Sequence, residues 1–321
     1  MRAATARPSA SDTGPLRVSV LPAHGSPPAS RKALGLVLAA AGAIAFSGKA
    51  IIVKLAYRYG VDAVTLIMYR MLMALPFFVA MAWWSSRGKP ALTRRDWLGV
   101  VFLGVTGYYM ASFLDFLGLQ YISASLERLI LYLNPTLVLL LGLVLYRRRI
   151  TAWQALGMAV SYAGVVLVFG HEIHLQGQEV VLGAVLVFGS ALSYAIYLVY
   201  SGELVQRLGS LRLVGLATTV ACLCCIVQFV LLRPSSAALV APEVLALSLL
   251  NALVCTVAPV LMIMMAIERL GSSLTSQVGM IGPMSTILMG VLILGEPMTG
   301  WVLGGTALVI AGIYVFTRSR A

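Results

Sequence analysis

Ten stretches of about 20 apolar residues follow one another along the chain, near residues 33–55, 64–84, 97–118, 121–146, 152–170, 179–201, 211–232, 243–266, 270–295 and 299–317. A bilayer core about 30 Å thick takes about 20 residues of α-helix. Inside lipid a helix satisfies its own backbone, whereas an open sheet edge does not. The pattern predicts an all-α integral membrane protein with ten transmembrane helices. In 321 residues these spans leave short connections and no room for a soluble domain between them. Charge agrees, since 11% of residues are charged against roughly 25% in soluble proteins.

The net charge of +12 raises nucleic acid as a partner, but its distribution speaks for membrane orientation. With a cytoplasmic N-terminus, seventeen of the 23 basic residues fall on the cytoplasmic side, including Arg31, Lys32, Arg87, Lys89, Arg94, Arg95, the Arg147–Arg149 run and Arg318. Lys54, Arg58 and Arg233 fall outside, and Lys49, Arg70 and Arg128 lie within spans. Such asymmetry sets both termini inside, and no nucleic-acid role is expected. Residues 1–32, rich in Pro, Ser, Ala and Arg, read as a disordered cytoplasmic tail. The first span is too long for a signal peptide and is expected to be retained. Cys222, Cys224, Cys225 and Cys255 all fall in spans and read as small packing residues.

A shift of 148 residues aligns the two halves without a gap: Leu34 meets Leu182, Pro135 meets Pro283, Gly142 meets Gly290, Thr151 meets Thr299, and Gly164 meets Gly312. Residues 33–173 and 179–318 are thus two repeats of five helices each. Because five is odd, the second is expected to insert upside down relative to the first, an architecture recurrent in transporters with a site at the repeat interface.

Pro135 and Pro283 occupy equivalent mid-span positions in spans four and nine, and a proline there removes a backbone donor and kinks the helix. In span four, Ser123, Glu127 and Asn134 fall on one face of a continuous helix, and Tyr108, Ser112 and Asp115 do so in span three. With Lys49 and Arg70 from spans one and two, and Arg128 beside Glu127, repeat one holds five intramembrane charges summing to +1. An ionisable group in a span is read first as functional. One reading is an ion-pair network holding helices together. The other is a site with spare positive charge for a carboxylate or zwitterion, where an arginine can grip a carboxylate through two hydrogen bonds. Repeat two places Tyr197, Ile263, Thr275 and Ser276 opposite Lys49, Asp115, Glu127 and Arg128. It offers hydroxyls and amides instead: Ser190, Tyr194, Tyr197 and Ser201 in span six, and Thr275, Ser276, Gln277 and Ser285 in span nine. Tyr194, Tyr197, Thr275 and Gln277 are expected on the wall opposite the charges.

Glycines 157, 164, 305 and 312, with Gly300 and Gly304 as a GxxxG pair, predict helix-packing faces; a homodimer contact is the alternative use of such a face. His171 and His174 fall in an expected outer loop, read as loop polarity rather than a metal site. The sequence carries no GxxxxGKS/T phosphate loop, so ATP hydrolysis is not expected. Neither a cofactor nor a metal is implied, and the chain does not read as an enzyme.

These features resemble the EamA family of the drug/metabolite transporter superfamily over about residues 33–318. FSGKAIIVKLAYRYGVDAVTLIMYRML (46–72) is similar to the family's first two helices. LGLQYISASLERLILYLNP (117–135) is similar to its span three–four turn and kinked helix, and GPMSTILMGVLILGEPMTGWVLGGTALVIAGI (282–313) to the end of its repeat. Repeat one departs from the pattern, with Arg147-Arg148-Arg149 where repeat two has Gly295-Glu296-Pro297. The resemblance implies export of amino acids or other metabolites, driven by ion gradients or exchange. The expectation is a secondary transporter in a bacterial-type inner membrane, alternating access around a cavity. Its wall or gates would be Lys49, Arg70, Asp115, Glu127, Arg128, Asn134, Tyr194, Tyr197, Thr275 and Gln277, with Pro135 and Pro283 as kinks. A channel, or a membrane sensor or assembly subunit without transport, is the alternative.

Overall fold

The computed structural model describes residues 29–146, 151–270, 272–279 and 281–318. The tail before residue 29 and the Arg147–Arg149 run lie outside them, as do the side chains of Ser276 and Gln277. The regular structure of the described residues is helical: α1 (Ala29–Tyr57), α2 (Ala63–Ser86), α3 (Arg94–Leu103), α4 (Ala111–Gly118), α5 (Ala124–Leu131), α6 (Asn134–Tyr146), α7 (Ala152–Gln176), α8 (Glu179–Leu208), α9 (Ser210–Leu232), α10 (Pro242–Ala252), α11 (Ala258–Leu270), α12 (Ser272–Gly279), α13 (Ile281–Met289) and α14 (Gly300–Arg318). π-Helical segments join α3 to α4 (Gly104–Met110) and α10 to α11 (Leu253–Val257), and another follows α13 (Gly290–Leu294).

Eight helices, counting α3–α4, α5–α6 and α10–α11 as continuous, are long and apolar enough to cross a bilayer. The segments expected as spans nine and ten contain shorter apolar helices, Ile281–Leu294 and Gly300–Phe316. In the ninth, α12 runs to Gly279 and α13 starts at Ile281, with residue 280 outside the described residues.

The sequence repeat is legible in the elements. Helix starts at Arg94, Ala124 and Ala152 are answered 148 residues later by starts at Pro242, Ser272 and Gly300. Equivalent residues make equivalent caps. Thr151 accepts from the Gln154 amide at 3.2 Å, and Thr299 from the Val302 amide at 3.3 Å. Each hydroxyl thereby satisfies one of the orphan donors of a helix start. The π segment Gly104–Met110 also has a counterpart at Leu253–Val257, whereas Gly290–Leu294 answers to the α-helical end of α6.

Packing joins one half to the other: α2 with α9, α7 with α14, α1 with α11 and α13, and α8 with α4 and α6. Exchanging the halves turns each of these pairings into itself or into another of the set. The α7–α14 contact uses the expected glycines. A Cβ at Gly157 would stand 2.6 Å from the Gly312 carbonyl, and one at Gly164 2.6 Å from the Gly305 carbonyl. Gly304 has only Leu167 near it, at 3.9 Å, and Gly300 has nothing within 4 Å.

Two local expectations change. Span three is not one continuous α-helix; its π segment adds residues per turn and rotates Tyr108 away from the Asp115 face. Tyr108 accordingly meets Tyr197, O to O at 3.3 Å, while Asp115 meets Lys49. His171 and His174 lie in the last turns of α7 rather than in a loop. That helix runs on to Gly177, whose φ of 85° supplies the left-handed stop.

Candidate functional site

Five charged side chains in the apolar bundle are almost wholly removed from solvent: Lys49 is 6% exposed, Arg70 5%, Asp115 2%, Glu127 0% and Arg128 4%. Lys49, from α1, stands between the acids. Its Nζ is 2.5 Å from Asp115 Oδ2 and 3.3 Å from Glu127 Oε1. Arg128 Nε lies 4.0 Å from Glu127 Oε2, and neither Glu127 oxygen is in a hydrogen bond. The Phe46 ring lies 5.7 Å from both Lys49 Nζ and the Arg128 guanidinium.

Both arginines reach across to the second half of the chain. Arg128 Nε donates to Thr286 Oγ1 at 2.9 Å, and Arg70 Nε donates to Thr256 Oγ1 at 2.9 Å. Ser47, two residues before Lys49 on α1, donates to the Gly282 carbonyl at 2.8 Å, next to Pro283. The charges therefore collect where the halves meet. Burying ions costs several kcal/mol each, and only good geometry repays it.

Asn134 does not continue the Glu127 face, because α5 stops at Leu131 and α6 begins at Asn134. Its Nδ2 instead donates back to the Leu131 carbonyl at 2.8 Å, satisfying an acceptor that the break exposes, and its Oδ1 is buried without a partner. Pro135 is the second residue of α6, and Pro283 the third of α13.

The hydroxyl-bearing residues of repeat two sit elsewhere. Tyr194 stacks on Tyr197 at 5.4 Å between ring centroids, and Tyr197 meets Tyr108 edge-on at 5.2 Å. This cluster shares an apolar core with Val100, Leu103 and Leu213, apart from the ion pairs. Ser190 donates to the Ala111 carbonyl at 2.6 Å and Ser193 to the Thr106 carbonyl at 2.7 Å, tying α8 to the irregular stretch of span three. Thr275 is buried in α12; the side chain of Gln277 lies outside the described residues.

A second polar site, which sequence reading largely missed, surrounds the start of α5. A cavity of about 400 Å³ is lined by Lys54, Arg58, Ser125, His171, Glu172 and Glu296, among others. Ser123 caps α5, accepting from the Leu126 amide at 3.0 Å, while its own hydroxyl donates to Glu172 Oε1. Glu296 accepts from the Ala124 amide at 2.7 Å and from the Ser125 hydroxyl at 2.8 Å. A carboxylate at a helix N-terminus satisfies orphan amides and opposes the positive end of the helix dipole. Lys54 Nζ donates to the Ile122 carbonyl at 2.7 Å, and Arg58 Nη2 to the Leu294 carbonyl at 3.0 Å. Gly295, at φ 74°, makes the left-handed turn that presents Glu296. The legible signal was Gly295-Glu296 itself. Glu172 had none, lying between two histidines in an expected loop, and Lys54 read only as an orientation charge.

Comparison with known proteins agrees with this architecture. The EamA-like transporter family matches twice, over residues 33–170 and 181–318. An uncharacterized transporter of Bacillus subtilis, YcbK, is 30% identical over 278 residues, covering 82% of this chain and 86% of that protein. An uncharacterized transporter of Archaeoglobus fulgidus is 23% identical over 276 residues, covering 86% and 94%. A crystal structure aligns over 90% of this chain and 98% of its own with a TM-score of 0.59 at 18% identity, a likeness of fold. With two matched repeats spanning nearly the whole helical region, this multi-pass membrane protein belongs to the EamA-like transporter family.

Proposed function

We propose that the protein is a secondary transporter that exports a small polar metabolite bearing a carboxylate, zwitterions such as amino acids included, by alternating access. The observation that carries this is the buried charge cluster at the seam between the halves, where three cations stand against two acids. A structural network alone gains little from a surplus charge, since an uncompensated buried ion is destabilising. A solute that brings one negative charge balances the site while it is bound.

The proposed architecture is ten spans in two inverted five-helix repeats, in a bacterial-type inner membrane with both termini cytoplasmic. The exchange symmetry of the helix pairings supports a two-fold relation, and five spans per repeat would put that axis in the membrane plane. In this orientation the cavity at Lys54, Glu172 and Glu296 faces outward. The clasp around α5 then acts as the outer closure, and the break before Pro135 acts as a hinge, with Pro283 as its counterpart in the second half. Glu127, lacking a hydrogen bond, is the acid best placed to change protonation as Lys49 and Arg128 shift.

An export screen tests the substrate reading. Cells overproducing the protein and cells lacking it are compared for metabolites accumulating in the medium. The expected result is enrichment of one or a few carboxylate-bearing solutes on overproduction. Enrichment confined to neutral or cationic solutes contradicts the substrate class.

A further inference from the structure

Arg70 is the cation that the ion-pair network leaves over. Lys49 holds both acids and Arg128 lies within 4.0 Å of Glu127, while no carboxylate lies within ion-pair distance of Arg70 among the described residues. Its Nε is committed to Thr256 and its guanidinium lies 5.1 Å from the Phe116 ring centroid. Nη1 is buried without any hydrogen-bond partner. A guanidinium is always charged and presents donors in a planar fork, so one idle nitrogen at 5% exposure is a standing cost.

Further orphans lie on the neighbouring helix. Thr256 hands its own proton to the Asn251 carbonyl at 2.9 Å. Asn251 Oδ1 and Ser248 Oγ are both buried without partners. Ser248 and Asn251 are three apart and share a face of α10, the helix that packs on α2. Thr256 belongs to the π segment Leu253–Val257, and such bulges favour functional positions. A donor fork on α2, and a second hydroxyl donor and an acceptor on the adjoining α10, thus have bonding capacity unspent.

We infer that Arg70, with Ser248 and Asn251, forms the subsite that holds the carboxylate of the transported solute. The assignment rests on the transporter reading and sharpens it. Arg128 bridges the halves and Lys49 neutralises the acids, while Arg70 makes the direct contact with substrate. Asn251 offers its amide oxygen to a donor next to that carboxylate.

The test uses the intact protein in lipid nanodiscs, with thermal unfolding followed by tryptophan fluorescence. The probes are a mixture of the common amino acids with small mono- and dicarboxylates, the corresponding amides, and inorganic phosphate. Wild type should be stabilised by the carboxylates and not by the amides or phosphate. R70K should weaken the apparent affinity about tenfold, since a lysine keeps the charge but not the fork, and R70Q should abolish the response. Empty R70Q should unfold no lower than empty wild type, because it sheds an uncompensated charge. A carboxylate response that survives R70Q overturns the assignment, as does an equal response to amides or phosphate, or none to any carboxylate. So does an R70Q protein much less stable than wild type while empty, which would make Arg70 structural. Solute exchange across liposomes separates this from the parent reading: exchange of any solute unaffected by R70Q removes only the Arg70 subsite, whereas no exchange of any solute removes the transporter reading.

Discussion

Lys49 is the residue on which the buried network depends, because among the described residues it alone pairs with both acids. Removing one partner of a buried ion pair costs about 3–5 kcal/mol, most of it from the charge left behind. Lys49→Met should therefore lower the unfolding temperature sharply, leaving Asp115 and Glu127 facing one another. Adding Asp115→Asn should recover much of that loss, because it removes one of the stranded charges. Thermal unfolding of the two single variants and the double variant checks this. Additive losses would show that Lys49 and Asp115 do not act as a pair. The presence of all five charges was legible in the sequence, because charged residues stand out in apolar spans. Their division of labour was not, since it depends on which helices meet: Arg128 turns to Thr286 and Arg70 to Thr256, contacts 158 and 186 residues apart along the chain.

Among the elements, breaks and caps decide how far a helical-wheel projection can be trusted. Glu127 and Asn134 share a face only if span four is one helix, and the interruption at Tyr132 and Leu133 removes that condition. The prolines announced an irregularity but not its extent. The π segment of span three had no proline to announce it, and it sends Tyr108 and Asp115 to different partners. Caps follow a simpler local rule, a polar residue preceding an apolar run. Asp62 accepts from the Val64 and Thr65 amides at 2.9 and 3.2 Å and from Arg233 Nε at 3.1 Å, joining α2 to the end of α9. Partial burial works to raise its carboxyl pKa, but the Thr65 and Arg233 hydrogen bonds outweigh it and hold the group below its ordinary value. A lowered folded pKa means stability present above the unfolded pKa, near 3.9, and lost as pH falls through the folded one. Asp62→Ala should cost about 1 kcal/mol at neutral pH, and its difference from wild type should shrink below about pH 4. Unfolding temperatures across that range check the trend, and a constant difference would contradict the charge-assisted cap.

At the scale of the molecule, the two ends of the bundle differ. Around α5, Glu172, Glu296 and Lys54 fasten the chain from Leu119 to Ser125. The counterpart of Ser123 148 residues on is Gly271, and that of Glu296 148 residues back is Arg148. The second half therefore lacks the residues that build the clasp. In the proposed orientation the clasp is the outer closure, and it should loosen when its carboxylate is lost. In Glu296→Ala, a cysteine placed at the buried Leu126 should react with a membrane-impermeant maleimide about tenfold faster than in the parent, a change of ~1.4 kcal/mol in opening. Equal rates would mean that Glu296 does not hold the closure. The internal repeat, the family and the membrane character were all legible in the sequence, because each rests on patterns that persist over twenty residues or more. The clasp was not, because it is assembled from single residues on α1, α5, α7 and the turn after α13.

Buried charge at the seam between the halves is proposed to move a solute across the membrane. Counterflow in proteoliposomes tests it most directly. Purified protein is reconstituted with an unlabelled metabolite pool inside, and labelled members of that pool are supplied outside, for wild type and Glu127→Gln. Wild type should show saturable, transient accumulation. About tenfold less is expected from a Glu127→Gln protein that is folded and reconstituted to the same level, with its pH dependence flattened. Unsaturable flux, the mark of a pore, would rule out this role for the charges. So would the absence of flux with any solute, or a Glu127→Gln protein whose rate and pH profile match wild type.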